Sequence, residues 1–297
     1  MIHSVYYKVA GYKYKVIFAD DNNDESLITS SSVFEIEAPE NDDEIIFQLY
    51  LDDAFRPESR GEEIGQFDCG GCNHGVYRSE DGTYQIQISN ECDQQCCVLE
   101  VDGDFTKGKT ALNGDKRMRS FGLNNALMLM FAFSTSSRNT LLMHSSVVRN
   151  SGKGFMCLGE SGTGKSTHTS LWLKYIDGSD LMNDDNPVVR VTDDGVVRVY
   201  GSPWSGKTPC YRDVEAPVGA FIQLKQAPYN KIRRENTIEA FSSLLSSCSV
   251  MKWDSKKYKS ICATIAKLIE GVPNYLLECL PDEDAAKLSY STCCDDK

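Results

Sequence analysis

The first third of the chain consists of short apolar stretches separated by polar turns. Residues 83–89 alternate polar and apolar side chains with the period of two expected of a half-buried antiparallel strand. Further strands are predicted at residues 12–18, 33–37, 45–51 and 97–101, and the acidic clusters at 20–24 and 41–44 have the composition of solvated loops. The pattern therefore predicts a β-rich N-terminal domain.

The pattern changes after residue 102. Residues 103–120 combine glycines with basic residues, a composition typical of a linker or a surface loop. Residues 124–133 are apolar on every side, which predicts a buried helix that carries the chain into its second half. We therefore place the domain boundary in this region and predict two domains, residues 1–115 and 116–297.

The second half alternates strand and helix patterns. Strands are predicted at residues 141–148, 154–158 and 275–279, and helices at residues 165–175, 238–248 and 258–269. Asn236 and Glu239 have the spacing of a helix capping box, and Asp282 is a candidate cap for a last helix. The expected fold class is α+β or α/β, with a mixed sheet in the second domain.

Composition and net charge limit the kinds of partner that the protein is expected to bind. The chain has 297 residues, of which 41% are hydrophobic and 25% charged, as in globular proteins. A net charge of -12 argues against nucleic acid as a partner, because phosphate binding requires dense positive charge. The apolar run at 126–133 is far shorter than the roughly 20 residues that cross a bilayer, and the N-terminus lacks a signal-peptide pattern. We expect a cytoplasmic protein with no membrane partner, whose 12 cysteines are mostly thiols.

One segment matches the phosphate-binding P-loop pattern of Gly, four residues, Gly-Lys-Ser/Thr. It consists of Gly159, Glu160, Ser161, Gly162, Thr163, Gly164, Lys165 and Ser166, followed by Thr167. A predicted strand precedes it and a predicted helix follows, so backbone N–H groups and the helix N-terminus would face bound phosphates. Lys165 would reach the β- and γ-phosphates, and Ser166 would offer its hydroxyl to Mg²⁺, with Mn²⁺ as an alternative metal. The alternative to an ATP site is a glycine-rich turn that matches by chance.

Two other features carry candidate chemistry. Asp184 and Asp185 are adjacent carboxylates after a short strand-like run, so one could bind the metal while the other accepts a proton. The alternative is an acidic turn before Pro187. His144 lies on the strand that precedes the P-loop strand, where a histidine is otherwise often a buried, hydrogen-bonded core residue.

Taken together, residues 143–148, 159–167 and 183–185 resemble motifs of the HPr kinase/phosphorylase and ATP-dependent phosphoenolpyruvate carboxykinase superfamily. The resemblance implies a carboxykinase-like mixed-sheet kinase domain. It also implies that His144 lies at the γ-phosphate and its metal, that Asp185 is a metal ligand, and that Asp184 accepts a proton from a substrate hydroxyl. HPr kinases form hexamers, so the resemblance further implies a homo-oligomer.

The expected function is that of an ATP- and Mg²⁺-dependent kinase acting on a protein serine, a peptide serine or a small-molecule hydroxyl. An alternative of a different class is an ATP-binding regulatory or peptide-escort module that does not transfer phosphate. A carboxykinase-like lyase is a more distant alternative, since the chain is shorter than a full carboxykinase.

Three weaker candidates remain in the sequence. Residues 200–207 resemble a motif of smaller superfamily members. Glycines beside a lysine suit a loop near phosphate, so Lys207 could contact the transferred group or its acceptor, unless Trp204 is core and Lys207 surface. Arg233 and Arg234 could clamp phosphates or could be solvated loop charges. A zinc site is compatible with the spacing of four cysteines, Cys69, Cys72, Cys92 and Cys96.

Overall fold

The computed structural model describes residues 2–58, 60–68, 73–206 and 208–295. The chain divides into two compact units, Met1–Thr135 and Ser136–Lys297. Each unit contains one nine-stranded sheet, and each sheet mixes parallel with antiparallel pairs. The coarse prediction of a protein that mixes helices and strands is confirmed, as is the mixed sheet expected in its second half; the mixed sheet of the first unit was not predicted.

The first unit is a sheet covered by one long helix. Its elements are β1 (His3–Val9), β2 (Tyr12–Phe18), β3 (Glu35–Ile36), β4 (Ile45–Leu51), β5 (Glu62–Asp68), β6 (Asn73–Arg78), β7 (Tyr84–Ser89), β8 (Gln95–Val101), β9 (Lys107–Leu112) and α1 (Lys116–Thr135). The strand order is β3-β1-β2-β4-β9-β8-β7-β6-β5, and only the β2–β4 and β4–β9 pairs are parallel among the described residues.

Helix α1 packs on the sheet of the first unit, against β4, β7, β8 and β9. The compact units consequently divide after α1, whereas the predicted boundary precedes it. The expectation of a linker at residues 103–120 is wrong, because this stretch holds β9 and the start of α1. Gly108 is a strand residue on which a Cβ would come within 2.7 Å of the Met130 sulfur, so close helix packing explains the glycine.

The second unit is a sheet with helices on both faces. Its strands are β10 (Thr140–Leu142), β11 (Ser145–Asn150), β12 (Lys153–Leu158), β13 (Asp180–Asp185), β14 (Val188–Val191), β15 (Val197–Tyr200), β16 (Glu215–Gln226), β17 (Lys231–Arg234) and β18 (Asn274–Cys279). Its helices are α2 (Lys165–Tyr175), α3 (Thr237–Ser246), α4 (Ser255–Gly271) and α5 (Glu283–Asp295). The strand order is β10-β14-β15-β16-β12-β11-β13, and β16 also pairs with β18, which pairs with β17.

Two apolar cores lie on opposite faces of this sheet, and strand β12 contributes alternate residues to each. Met156 and Leu158 belong to the core that α3 and α4 cover with Leu244, Ile265 and other side chains. Phe155 and Cys157 belong to the core on the other face, which α2 and α5 cover with Trp172, Ala286 and other side chains. Burial on both faces explains why β12 is an uninterrupted apolar run in the sequence.

Most predicted elements of the second unit are confirmed, including the helix that follows the P-loop and the capping box of Asn236 and Glu239. Asp282 accepts a hydrogen bond from the Ala285 N–H near the start of α5. The predicted strand at 141–148 is instead two strands, β10 and β11, interrupted at Met143 and His144.

In the first unit, the strands predicted at 12–18, 45–51, 83–89 and 97–101 are confirmed to within a few residues. Of the strand predicted at 33–37, only Glu35–Ile36 forms a strand, β3, and the two residues before it end the 3₁₀ helix Thr29–Phe34. Strands β1, β5, β6 and β9 had no counterpart among the predictions. Within the described part of the chain, no helix combines the length and the apolarity needed to cross a lipid bilayer.

The contact between α1 and β8 gives a prediction about stability. A Cβ added at Gly122 would lie 2.7 Å from the Cys97 Cβ and 2.9 Å from the Cys96 carbonyl oxygen, and neither atom can move freely. Gly122→Ala should therefore destabilise the protein by about 1–3 kcal/mol, although alanine in a helix interior is ordinarily favoured over glycine by about 1 kcal/mol. Urea denaturation followed by circular dichroism measures the change.

Arg117→Ala, at an exposed position of the same helix, is the matched control and should change the free energy of unfolding by less than about 0.5 kcal/mol. A Gly122→Ala protein that is more stable than the wild type would contradict the close packing.

Candidate active site

The P-loop connects β12 to α2 at one edge of the second sheet. Strands β16 and β18 run parallel to β12, and β11 is antiparallel to both β12 and β13. The carboxyl ends of β12, β13, β16 and β18 and the amino end of β11 therefore meet at this edge. In sheets with parallel strands and helices on both faces, the edge at the carboxyl ends is the usual place for ligand binding.

The loop leaves the first turn of α2 open. Gly164 is the N-cap of the helix, with φ of 105° and no side chain to accept hydrogen bonds from the first-turn N–H groups. At Gly159, where φ is 143°, a Cβ would lie 2.6 Å from the Thr163 hydroxyl oxygen. Ser166 and Thr167 are exposed. The backbone donors and hydroxyl groups that a phosphate site requires are thus accessible.

The Lys165 side chain is buried, and its ammonium group lies close to two backbone carbonyl oxygens of the loop. Its ammonium donates to the Gly159 oxygen at 2.9 Å and lies 3.3 Å from the Glu160 oxygen. Burial lowers the pKa of Lys165, while the carboxylates of Asp185 and Asp184 act in the opposite direction. Both predicted carboxylates are therefore close enough to Lys165 to influence it electrostatically.

The strand register pairs the two aspartates with different residues of β11. Asp184 lies opposite Ser146, which lies opposite Cys157 on the face covered by α2. Asp185 lies opposite Ser145 at the end of β13. Residues that lie directly opposite each other point to the same face, so Asp184 belongs to the α2 side of the sheet.

The backbone is unusual at Asp185. Its φ is 151°, a value that non-glycine residues rarely adopt and that costs on the order of 1–3 kcal/mol. The carboxylate lies 3.2 Å from His144 Nε2 and accepts a hydrogen bond from Asn186 Nδ2 at 2.8 Å. Asp184, in contrast, is only 4% exposed. The acidic-turn alternative does not describe these residues, since both belong to β13.

His144 occupies the interruption between β10 and β11. Its backbone N–H donates to the Ser247 oxygen at 2.6 Å, and its side chain is 41% exposed while it contacts Asp185. It is therefore not the buried core histidine considered as the alternative. The structure brings His144 and Asp185 into contact, and it brings both aspartates near Lys165.

The segment after β15 passes alongside β13 and approaches Asp184. The Gly206 N–H donates to the Asp184 carbonyl oxygen at 2.6 Å, and the Ser205 hydroxyl lies 3.1 Å from the same oxygen. Trp204 is buried, as in the core alternative, and Lys207 lies outside the described residues. Sequence reasoning missed Asn186 and Ser205 as site residues, because only the fold shows which groups contact the aspartates.

Arg233 and Arg234 do not join the loop. Arg233 forms two hydrogen bonds of 2.8 Å to Glu239, and this ion pair lowers the pKa of the capping-box carboxyl to about 2. Both arginines belong to β17, which lies three strands from β12, on the order of 14 Å at normal strand spacing. The observed role of Arg233 is therefore to stabilise the start of α3.

The zinc candidates lie in the first unit. Cys69 and Cys72 are outside the described residues, Cys92 is exposed, and the Cys96 thiol is 3.3 Å from the Gln94 carbonyl oxygen. Where side chains are described, no group of three or more His, Cys, Asp or Glu residues is placed to hold a metal ion.

The helix that follows the loop is joined to α5 by a buried polar cluster. His168 Nε2 lies 3.0 Å from the Ser289 hydroxyl, which also accepts a hydrogen bond from Trp172 Nε1 at 2.9 Å. Burial lowers the pKa of His168 from 6.5 to about 4. The folded state thus favours the neutral ring, and protonation of the unfolded chain competes with folding.

His168 therefore predicts a loss of stability in mild acid. Its contribution is fully present above the unfolded pKa of about 6.5 and is lost as the pH falls toward about 4, which amounts to about 2 kcal/mol between pH 7 and pH 5. Urea denaturation at both pH values measures it. His168→Gln removes this titration and should lose less stability over the same interval, whereas equal losses in both proteins would contradict the assignment.

No family model matches the chain, and no curated protein sequence matches it. The function must therefore be inferred from the loop, the paired aspartates and His144 in the arrangement observed.

Proposed function

We propose that this protein is an ATP- and Mg²⁺-dependent phosphotransferase that moves the γ-phosphoryl group to a hydroxyl of a protein, a peptide or a small molecule. One observation carries the proposal. Strand β11 pairs with both β12 and β13, so the P-loop and the aspartates share one edge of the sheet, with both carboxylates acting on Lys165. The second carboxylate at this position is available to accept the proton of an acceptor hydroxyl.

The residues of the loop suit a triphosphate with a divalent cation. Accessible N–H groups at the start of α2 would bind phosphate oxygens, and Lys165 would turn from the loop carbonyls toward them. Ser166 and Asp185 provide a hydroxyl and a carboxylate, oxygen ligands that Mg²⁺ prefers. When bound, Mg²⁺ would neutralise negative charge on the phosphate oxygens.

In the proposed transfer, the acceptor oxygen forms a bond to the γ-phosphorus while the bond from that phosphorus to the β–γ bridging oxygen breaks. Asp184 takes the proton of the acceptor hydroxyl, and Lys165 stabilises the charge that develops on the leaving diphosphate. His144 and Asn186 hold the Asp185 carboxylate in place. Positioning and electrostatics thus supply most of the catalysis, as is usual for phosphoryl transfer.

The second candidate is an ATP-binding regulatory or peptide-escort module without transfer. The 4% exposure of Asp184 favours this alternative, because an acceptor must approach closely before it can give a proton to so sheltered a carboxylate. The two candidates differ in whether labelled γ-phosphate appears on an acceptor other than water.

Asp184→Asn separates binding from transfer. The amide keeps the shape of the side chain but cannot take a proton, so transfer should fall by about 10²–10⁴-fold, while the Kd for Mg·ATP stays within about threefold of the wild-type value. The transfer rate is measured with γ-labelled ATP and fractions of a cell extract as acceptors. The Kd for Mg·ATP is measured by calorimetry.

Asp193→Asn, in an exposed turn, is the matched control and should behave as the wild type. Wild-type rates in Asp184→Asn would reject this role for Asp184. ATP binding by the wild-type protein without any labelled acceptor would favour the regulatory module.

Asp185→Asn tests the metal role. Replacing a charged oxygen ligand with a neutral amide should raise the Mg²⁺ concentration for half-maximal ATP binding by about tenfold or more. Titration of Mg²⁺ at fixed ATP measures this concentration, with Asp193→Asn again as the control. An unchanged Mg²⁺ requirement would show that Asp185 is not a metal ligand.

A further inference from the structure

A cavity of about 640 Å³ opens beside the P-loop, within the range of about 300–1,000 Å³ typical of small-molecule sites. One wall is the loop itself at Gly162 and Gly164, and another is α2 at Leu171. The third wall is formed by the turns that follow β16 and β18, including Ala227 and Leu280. The cavity thus lies at the same edge of the sheet as the phosphate site and continues from it.

The third wall offers apolar surface and few available donors. The Ala227 N–H donates to the Cys279 carbonyl oxygen at 3.1 Å, and the Leu280 N–H donates to Asn230 Oδ1 at 2.8 Å. The Gln226 side-chain amide donates to the Gly162 carbonyl oxygen at 3.2 Å, which joins this wall to the loop. These three N–H donors are therefore already engaged within the protein and are not available to a ligand.

The α2 wall combines an apolar side chain with a histidine whose ring is already hydrogen-bonded. Leu171 is apolar, and His168, which lines the cavity, has its Nε2 atom beside Ser289 and Trp172. A ligand whose phosphates bind the loop and whose flat, uncharged ring system lies in the cavity fits both features of this sheet edge, the P-loop and the cavity beside it. Apolar contact holds such a ring without distinguishing its exocyclic groups.

We propose that the cavity holds the base of the nucleotide and that it accepts adenine and guanine with similar affinity. The inference rests on the proposed function, because it requires a triphosphate on the P-loop. The competing occupant is the phosphoryl acceptor, in which case the base would contribute nothing to binding at this place.

The test compares Mg·ATP, Mg·GTP and Mg·tripolyphosphate, which lacks a base, by isothermal titration calorimetry on the full chain. ATP and GTP should bind within about fivefold of each other and at least about tenfold more tightly than tripolyphosphate. Leu171→Trp and Ala227→Trp fill the cavity and should reduce both nucleotide affinities to about that of tripolyphosphate, whose own affinity stays unchanged in the variants.

Leu173→Trp is the matched control, since Leu173 lies on the same helix with 41% of its surface exposed and does not line the cavity. It should bind all three compounds as the wild type does. Retained tripolyphosphate binding by the two cavity variants shows that they are folded. A second readout needs no variant: ATP, but not tripolyphosphate, should slow alkylation of the Cys279 thiol, which lines the cavity.

The outcomes separate the two proposals. If the wild type binds neither tripolyphosphate nor ATP, the proposed function is overturned and this inference with it. Tripolyphosphate binding as tight as ATP binding, or wild-type ATP affinity in both tryptophan variants, would show that the base does not lie in the cavity. The assignment of the P-loop would still stand. A preference of about a hundredfold for one purine overturns the similar affinity of the two bases.

Discussion

The pairing of β11 with both of its neighbours is the constraint on which the candidate site depends. Ser146 lies opposite Cys157 on one side and Asp184 on the other, so a single register aligns the P-loop strand with the aspartate strand. Because side chains alternate between the faces of a sheet, a slip of one residue would turn Asp184 away from the α2 side. The apolar cores on both faces specify this register, since a slip would exchange their residues.

Local signals in the sequence predicted the parts of the site but not their assembly. The P-loop was visible because its pattern is contiguous and because a strand and a helix flank it. The break between strands β10 and β11 at Met143 and His144 was not visible in the sequence, because the apolar run continues through it. It depends on distant partners, namely the Pro187 and Ser247 carbonyl oxygens that accept from these two N–H groups.

Glycine was misleading at Gly108, where close helix packing rather than a loop explains the residue. Asn186 was missed because its contact with Asp185 depends on side-chain geometry. Phosphate binding stayed one of two alternatives for Arg233, because charge alone cannot distinguish an adjacent helix cap from an open site.

The environments of the two aspartates differ in a way that suits two roles. Asp184 is buried, and its backbone carbonyl accepts from the Ser205 hydroxyl and the Gly206 N–H, while Asp185 ends its strand with an unusual backbone and a partly exposed carboxylate. Backbone strain of this kind persists only where surrounding contacts enforce it, and it is concentrated at functional sites. Lys165 lies within the electrostatic influence of both residues, which links the P-loop to the carboxylates in a protein whose net charge is -12. A strongly acidic chain that binds a polyanion needs such a locally placed cation together with the helix N-terminus.

The most direct measurement is a crystal structure of the protein with Mg²⁺ and a non-hydrolysable ATP analogue. We expect the β- and γ-phosphates on the loop from Gly159 to Thr167, with the metal between the Ser166 hydroxyl and the Asp185 carboxylate. Phosphates bound elsewhere, or a metal that neither residue contacts, would contradict this arrangement.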